Sequence, residues 1–78
     1  MERAIDLLNI KKGQKVTVYM KGLMKTIGIL KAFDLHLNVW LEDAVMFDND
    51  KLMDGRKDMV IRGDNVLFII GGDDYGKE

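Results

Sequence analysis

Apolar residues near the start of the chain recur at helical spacing. Met1, Ala4, Ile5 and Leu8 fall at i, i+3, i+4 and i+7, with Glu2, Arg3, Asp6 and Asn9 between them, so "MERAIDLLNI" predicts a short amphipathic helix. A helix of this length does not hold in water alone, so it needs an apolar surface to lean on. "KKG" ends it. From Lys15 the period becomes two: Val16, Val18 and Met20 face one way, with Lys15, Thr17, Tyr19 and Lys21 opposite, which predicts a strand. A turn at Gly22 leads to a second strand over about 26–33. Its alternation slips between Ile29 and Leu30, beside Gly28, where a bulge or sharp bend lets one strand serve two halves of a curled sheet.

The stretch "AFDLHLNVW" is less ordinary. Phe33, Leu35, Leu37 and Val39 alternate as in a half-buried strand, yet the opposite positions are Asp34, His36 and Asn38. Asp and Asn are depleted in strands and favoured in turns, so this spacing points to a site. A third strand is expected over about 37–45. "FDNDKLMDGRK" is the most polar stretch and predicts an exposed loop, with Asp54-Gly55 as a possible hairpin turn. Met59 to Ile61 reads as a short strand, "RGDN" as a tight connection and "VLFII" as the last strand. In that last strand Val66, Phe68 and Ile70 lie on one face and Leu67 and Ile69 on the other, so both faces are apolar. An exposed apolar edge of this kind is one that proteins avoid, which predicts cover from a neighbouring subunit. Together these elements predict a mainly β fold: a short helix, then a strongly bent five-stranded antiparallel sheet forming a small open barrel.

Composition narrows the function classes. With 78 residues, 47% of them hydrophobic and 32% charged, the chain has the length and composition of one globular domain. So small a domain buries only about 60% of its extended-chain surface and usually needs a staple. Cysteine is absent, which removes disulfides and thiolate-ligated metal sites together and leaves oligomerisation. No apolar run approaches the roughly 20 residues of a membrane helix, and Met1 to Ile10 lacks the pattern of a signal peptide, so a cytoplasmic protein is expected, with no membrane partner. The net charge of −1 gives no global field for a polyanion, so any such site is local or repeated by symmetry.

Two polar groups stand at strand junctions: Asp34, His36 and Asn38, and the run Arg62-Gly63-Asp64-Asn65. His36 is the single histidine and the chain has neither Ser nor Cys, so a nucleophile with its base is missing and no enzyme is expected. A calcium loop counted from Asp48 puts Met53 and Met59 at positions six and twelve, where Gly and Glu are required. No metal and no cofactor are therefore expected. Taken singly, each polar group also reads as turn chemistry.

The pair reads differently. "IGILKAFDLHLNVWLEDA" followed by "MVIRGDNVLFI" resembles the two-part signature of the Sm-like (LSm) proteins, most of all the archaeal homomeric ones. Gly28, Phe33, Asp34, Asn38, Ile61, Arg62 and Gly63 match the motif positions, and the resemblance covers nearly the whole chain. It implies a single Sm-like domain over residues 1–72 with a flexible tail at 73–78. It also implies a ring, in which the fourth strand of one subunit pairs with the fifth of the next; seven subunits are expected, and six remain open. In that fold "DLHLN" is a turn beside the Arg-Gly loop at a central pore. The resemblance implies that His36 and Arg62 hold a uracil between their planes, that Asn38 hydrogen-bonds its edge, that Gly63 and Asp64 complete the pocket, and that Asp34 orients the loop. Leu37 stands where many relatives carry Met, and Asp64 replaces an Asn found in some.

This implies a homo-oligomeric ring that binds U-rich single-stranded RNA, as an RNA chaperone or ribonucleoprotein scaffold in RNA processing. The alternative is a ring that serves mainly protein assembly and binds RNA weakly. Stacking and edge hydrogen bonds are how single-stranded RNA is read. An Asn amide offers one acceptor and one donor group to the uracil edge, and Asp34 accepting from Asn38 is one way to keep that amide one way round.

Overall fold

A computed structural model describes residues 3–53 and 55–72. The elements are α1 (Ala4–Lys11), β1 (Lys15–Met20), β2 (Met24–Phe33), β3 (Val39–Asp48), β4 (Lys51–Leu52), β5 (Lys57–Ile61), a short 3-10 turn (Gly63–Asn65) and β6 (Val66–Gly71). No helix among the described residues is long and apolar enough to cross a membrane.

The Asp6 carboxylate starts α1, accepting from the Arg3 backbone N–H at 2.9 Å and from its guanidinium at 3.2 Å. A negative charge there also suits the positive end of the helix dipole. Ile5 and Leu8 are half-buried, with Leu8 packed on the core, whereas Ala4 is exposed; Met1 lies outside the described residues. Gly13, at φ 83°, turns the chain back, and its N–H donates to the Leu30 carbonyl at 2.8 Å. That bond pins the end of the helical segment to the middle of β2.

All strand pairings are antiparallel, in the order β4-β3-β2-β1-β6, with β5 also on β3. The bend expected beside Gly28 is present. In the β2–β3 pairing the register shifts between Ile27 and Ile29, where Asp43 takes φ 55°. A Cβ on Gly28 would lie 2.8 Å from that of Ala44, so the two strands approach there as only glycine permits. Val16, Val18, Leu30, Val39, Leu41, Ala44 and Ile61 form the core inside the bend.

Four details differ from the expectations. The polar stretch after Phe47 is not one loop: its turn is at Asn49-Asp50, φ 51° and 67°, with Lys51 and Leu52 paired back onto Asp48 and Phe47. Two successive positive φ values match the right-handed twist of a two-residue hairpin, and Asn and Asp tolerate them. Asp54 lies outside the described residues, as does the tail at 73–78. The fourth strand expected at Met59 to Ile61 is β5, and β4 is an added short strand within the expected loop, so the described residues hold six strands rather than five.

Thr17, placed on the polar face of the first strand by alternation, is fully buried and donates to the Gly72 carbonyl at 2.8 Å. In β6 the register against β1 shifts between Tyr19 and Met20. Val66 and Ile69 consequently reach the core, while Leu67, Phe68 and Ile70 stay exposed. Strict alternation groups Val66 with Phe68 and Ile70 instead. The strand beginning at Phe33 also breaks: Asp34 to Asn38 form a turn, so "DLHLN" follows the turn implied by the family motif and not the alternating strand.

Candidate nucleic-acid interface

Asp34 organises the turn between β2 and β3. Its Oδ1 accepts from the backbone N–H groups of His36 at 2.9 Å and Asn38 at 3.0 Å, and its Oδ2 accepts from Asn38 Nδ2 at 2.9 Å. Two main-chain bonds close the loop, from Leu37 N to the Asp34 carbonyl at 3.0 Å and from Asp34 N to the Asn38 carbonyl at 3.2 Å. The price is a Leu37 at φ 60°, a left-handed conformation that L side chains adopt reluctantly. The Asn38 side chain, then its backbone N–H and that of His36, hold the Asp34 carboxyl below its ordinary value of 3.8, because each donor favours the charged form.

The second loop meets the first at Gly63. Its N–H donates to Asn38 Oδ1 at 2.8 Å, and a Cβ built on Gly63 would overlap the His36 carbonyl oxygen. Glycine is thus required here by the approach of another backbone. Sequence spacing gives no hint of that contact, which joins residues distant along the chain.

The consequence for Asn38 is chemical. An amide has two N–H donors and two acceptor lone pairs. Asp34 takes one donor and Gly63 takes one lone pair, so the amide is fixed one way round with one donor and one acceptor left over. His36, Asn38, Arg62, Gly63 and Asp64 line one open concavity of about 480 Å³. Arg62 Nη2 lies 3.4 Å from Asp64 Oδ2, with both side chains largely exposed. An ion pair so open to water adds little stability, but it restrains the guanidinium at the rim.

All five residues expected to contact a ligand are therefore gathered at one place, and Asp34 lies behind them bonded to Asn38. Among the described residues no group of three metal-ligating side chains occurs. The concavity thus offers one amide donor and one amide acceptor, with an imidazole and a guanidinium in the same lining.

Comparison with known proteins identifies the family of the chain. The model of the LSM domain matches residues 6–71. The snRNP Sm-like protein of Thermococcus sibiricus is 38% identical over 68 residues, covering 87% of this chain and 90% of the relative. That of Methanococcoides burtonii is 33% identical over 67 residues, covering 86% and 93%. Among solved structures, the Pyrococcus abyssi Sm protein in complex with a uridine heptamer has a TM-score of 0.84 and 37% identity, covering 91% of this chain and 100% of that one. The heptamer of an Sm protein from P. aerophilum has a TM-score of 0.84 and 34% identity, covering 94% and 97%. With the fold, both loop motifs and the family model in agreement across nearly its whole length, this chain belongs to the LSM domain family of Sm-like proteins.

Proposed function

We propose that this chain assembles head to tail into a homomeric ring of seven and binds U-rich single-stranded RNA, acting as an RNA chaperone or ribonucleoprotein scaffold in RNA processing. The observation that carries the RNA reading is the Asn38 amide, held between Asp34 and the Gly63 N–H. Its remaining acceptor meets the uracil N3–H, and its remaining donor meets a uracil carbonyl. Cytosine presents an acceptor at N3, so the fixed amide opposes it. His36 and Arg62 supply the two planes between which the base stacks, and Asp64 keeps the guanidinium in place. The site binds and performs no bond-making step.

Assembly rests on two edges. Among the described pairings β5 is bonded only to β3 and β6 only to β1, so each has an outer edge without a partner. Both carry exposed apolar side chains, Val60 on β5 and Leu67, Phe68 and Ile70 on β6. Edge-to-edge pairing in a closed ring removes both edges at once. The relatives solved as a heptamer and with a uridine heptamer support the same reading. A cytoplasmic location goes with it.

Native mass spectrometry with equal amounts of a U-tract and an A-tract of distinguishable mass tests both parts. The expected result is a ring mass that carries the U-tract preferentially. Arg62→Ala should leave the ring mass unchanged and weaken U-tract binding by about 1–3 kcal/mol per site, the worth of one stacked base. A ring that carries neither oligonucleotide sinks the RNA reading and favours the assembly scaffold; a bare monomer sinks the ring.

A further inference from the structure

Trp40 is the chain's single tryptophan and is 42% exposed. It lies on β3 opposite Val60 of β5, with Val39 opposite Ile61 in the same register. Val39, Leu41 and Ile61 are buried, so alternation turns Trp40 and Val60 to the outer face of the sheet. Asn38 and Arg62 follow directly beyond the end of that pairing, next in the chain to Val39 and Ile61. The base pocket therefore begins two residues, or about 7 Å, along the chain from the Trp40–Val60 pair.

Three features make this shelf suited to a base. The indole presents a large flat apolar surface, 42% exposed. Lys31 Nζ lies 5.8 Å from the Trp40 ring centroid, a cation–π contact that also brings positive charge beside the shelf. Glu42 offsets part of that charge, with Oε1 4.0 Å from the same ammonium, but both side chains remain over two-fifths exposed and free to exchange partners. Strand addition at the outer edge of β5 would satisfy its main chain in the plane of the sheet, and Trp40 stands one strand further in, on its face.

We propose that Trp40 is a second stacking subsite for single-stranded RNA and takes the base next to the one held by His36, Asn38 and Arg62, with Lys31 beside the phosphate that joins them. The proposal rests on the RNA-binding reading above and adds a second nucleotide to each subunit's footprint. Stacking tolerates any base, so selectivity for uracil stays with the first pocket while Trp40 adds affinity.

Because no other tryptophan contributes, its fluorescence reports on this subsite directly. Titrating the assembled protein with an oligouridylate should quench that fluorescence to saturation, whereas uridine monophosphate, filling the first pocket alone, should leave it unchanged. Trp40→Ala should weaken oligouridylate binding about 5- to 150-fold, the equivalent of one stacked base, without altering the affinity for uridine monophosphate. Trp40→Phe should restore most of the loss, and native mass spectrometry checks that each variant keeps its assembly. If a variant fails to fold, the quenching of the parent protein decides.

Oligouridylate binding without quenching, or equal affinity in Trp40→Ala, overturns the proposal and leaves the first pocket standing. An indole shielded from acrylamide in the RNA-free assembly also overturns it, since a neighbouring subunit would then cover the shelf. No oligouridylate binding by the parent protein overturns both readings.

Discussion

At the residue scale, the fate of one amide depends on one carboxylate. Asp34 has its pKa below 3.8 in the folded chain, so the unfolded chain holds that proton more tightly. Its contribution to stability is complete above about 3.8 and is lost as pH falls through the lowered folded value. Thermal unfolding followed from neutral pH downward should show this loss in the parent protein and not in Asp34→Asn. The same variant can present an amide N–H to Asn38, so Asn38 is no longer held one way round and the preference for U over C should fall severalfold in competition binding. An unchanged preference would mean that the Gly63 N–H alone orients the amide. Much of this site was legible in the sequence, because turn-forming residues in a strand-like alternation and an Arg-Gly pair form a recognisable motif. The contact of Gly63 with the His36 carbonyl was not, since proximity between separate loops has no local signal.

At the element scale, local chemistry decided more than alternation did. The hairpin after β3 turns at Asn49-Asp50 because these residues tolerate positive φ. With φ 67° at Asp50, glycine relieves the left-handed strain, and the Asp50 carboxylate it removes is exposed and no nearer than 3.9 Å to the Lys25 ammonium. Asp50→Gly should therefore stabilise the chain by about 0.5–1 kcal/mol, read as a raised melting temperature; a lowered one would show that the Asp50 carboxylate matters more than its backbone. The shifted register in β6 teaches the same lesson. Once a bulge enters, the residues that reach the core are Val66 and Ile69, three apart, and period two no longer sorts the faces.

At the scale of the whole molecule, the two unpartnered edges dominate. Val60 stands 69% exposed on one of them, and a carboxylate there would be brought against apolar side chains of the adjoining strand without a partner. Burying an unpaired charge is costly, so Val60→Asp should convert the ring to lower-mass species in native mass spectrometry while far-UV circular dichroism keeps its strand signal. An intact ring would place the subunit contact elsewhere. Assembly also resolves the charge balance: a net charge of −1 per chain does not oppose RNA when Arg62 is repeated around one rim. Repetition raises the effective concentration of weak sites, which gives a long U-tract an advantage over a short one.

The sequence by itself determined the helix, the succession of antiparallel strands, the bend at Gly28, an apolar last strand and the two polar motifs whose residues line one concavity. Those features are carried by periodicity, by residues with special backbone freedom and by spaced motifs, all of which are local. Only the tertiary structure decided that Thr17 is buried, that the polar stretch after Phe47 holds a short added strand, that Val66 and Ile69 are the β6 residues packed on the core, and that the Gly63 N–H locks the Asn38 amide. Each of these follows from how strands with bulges pack around a bend, where a shift of one residue changes which side chains meet.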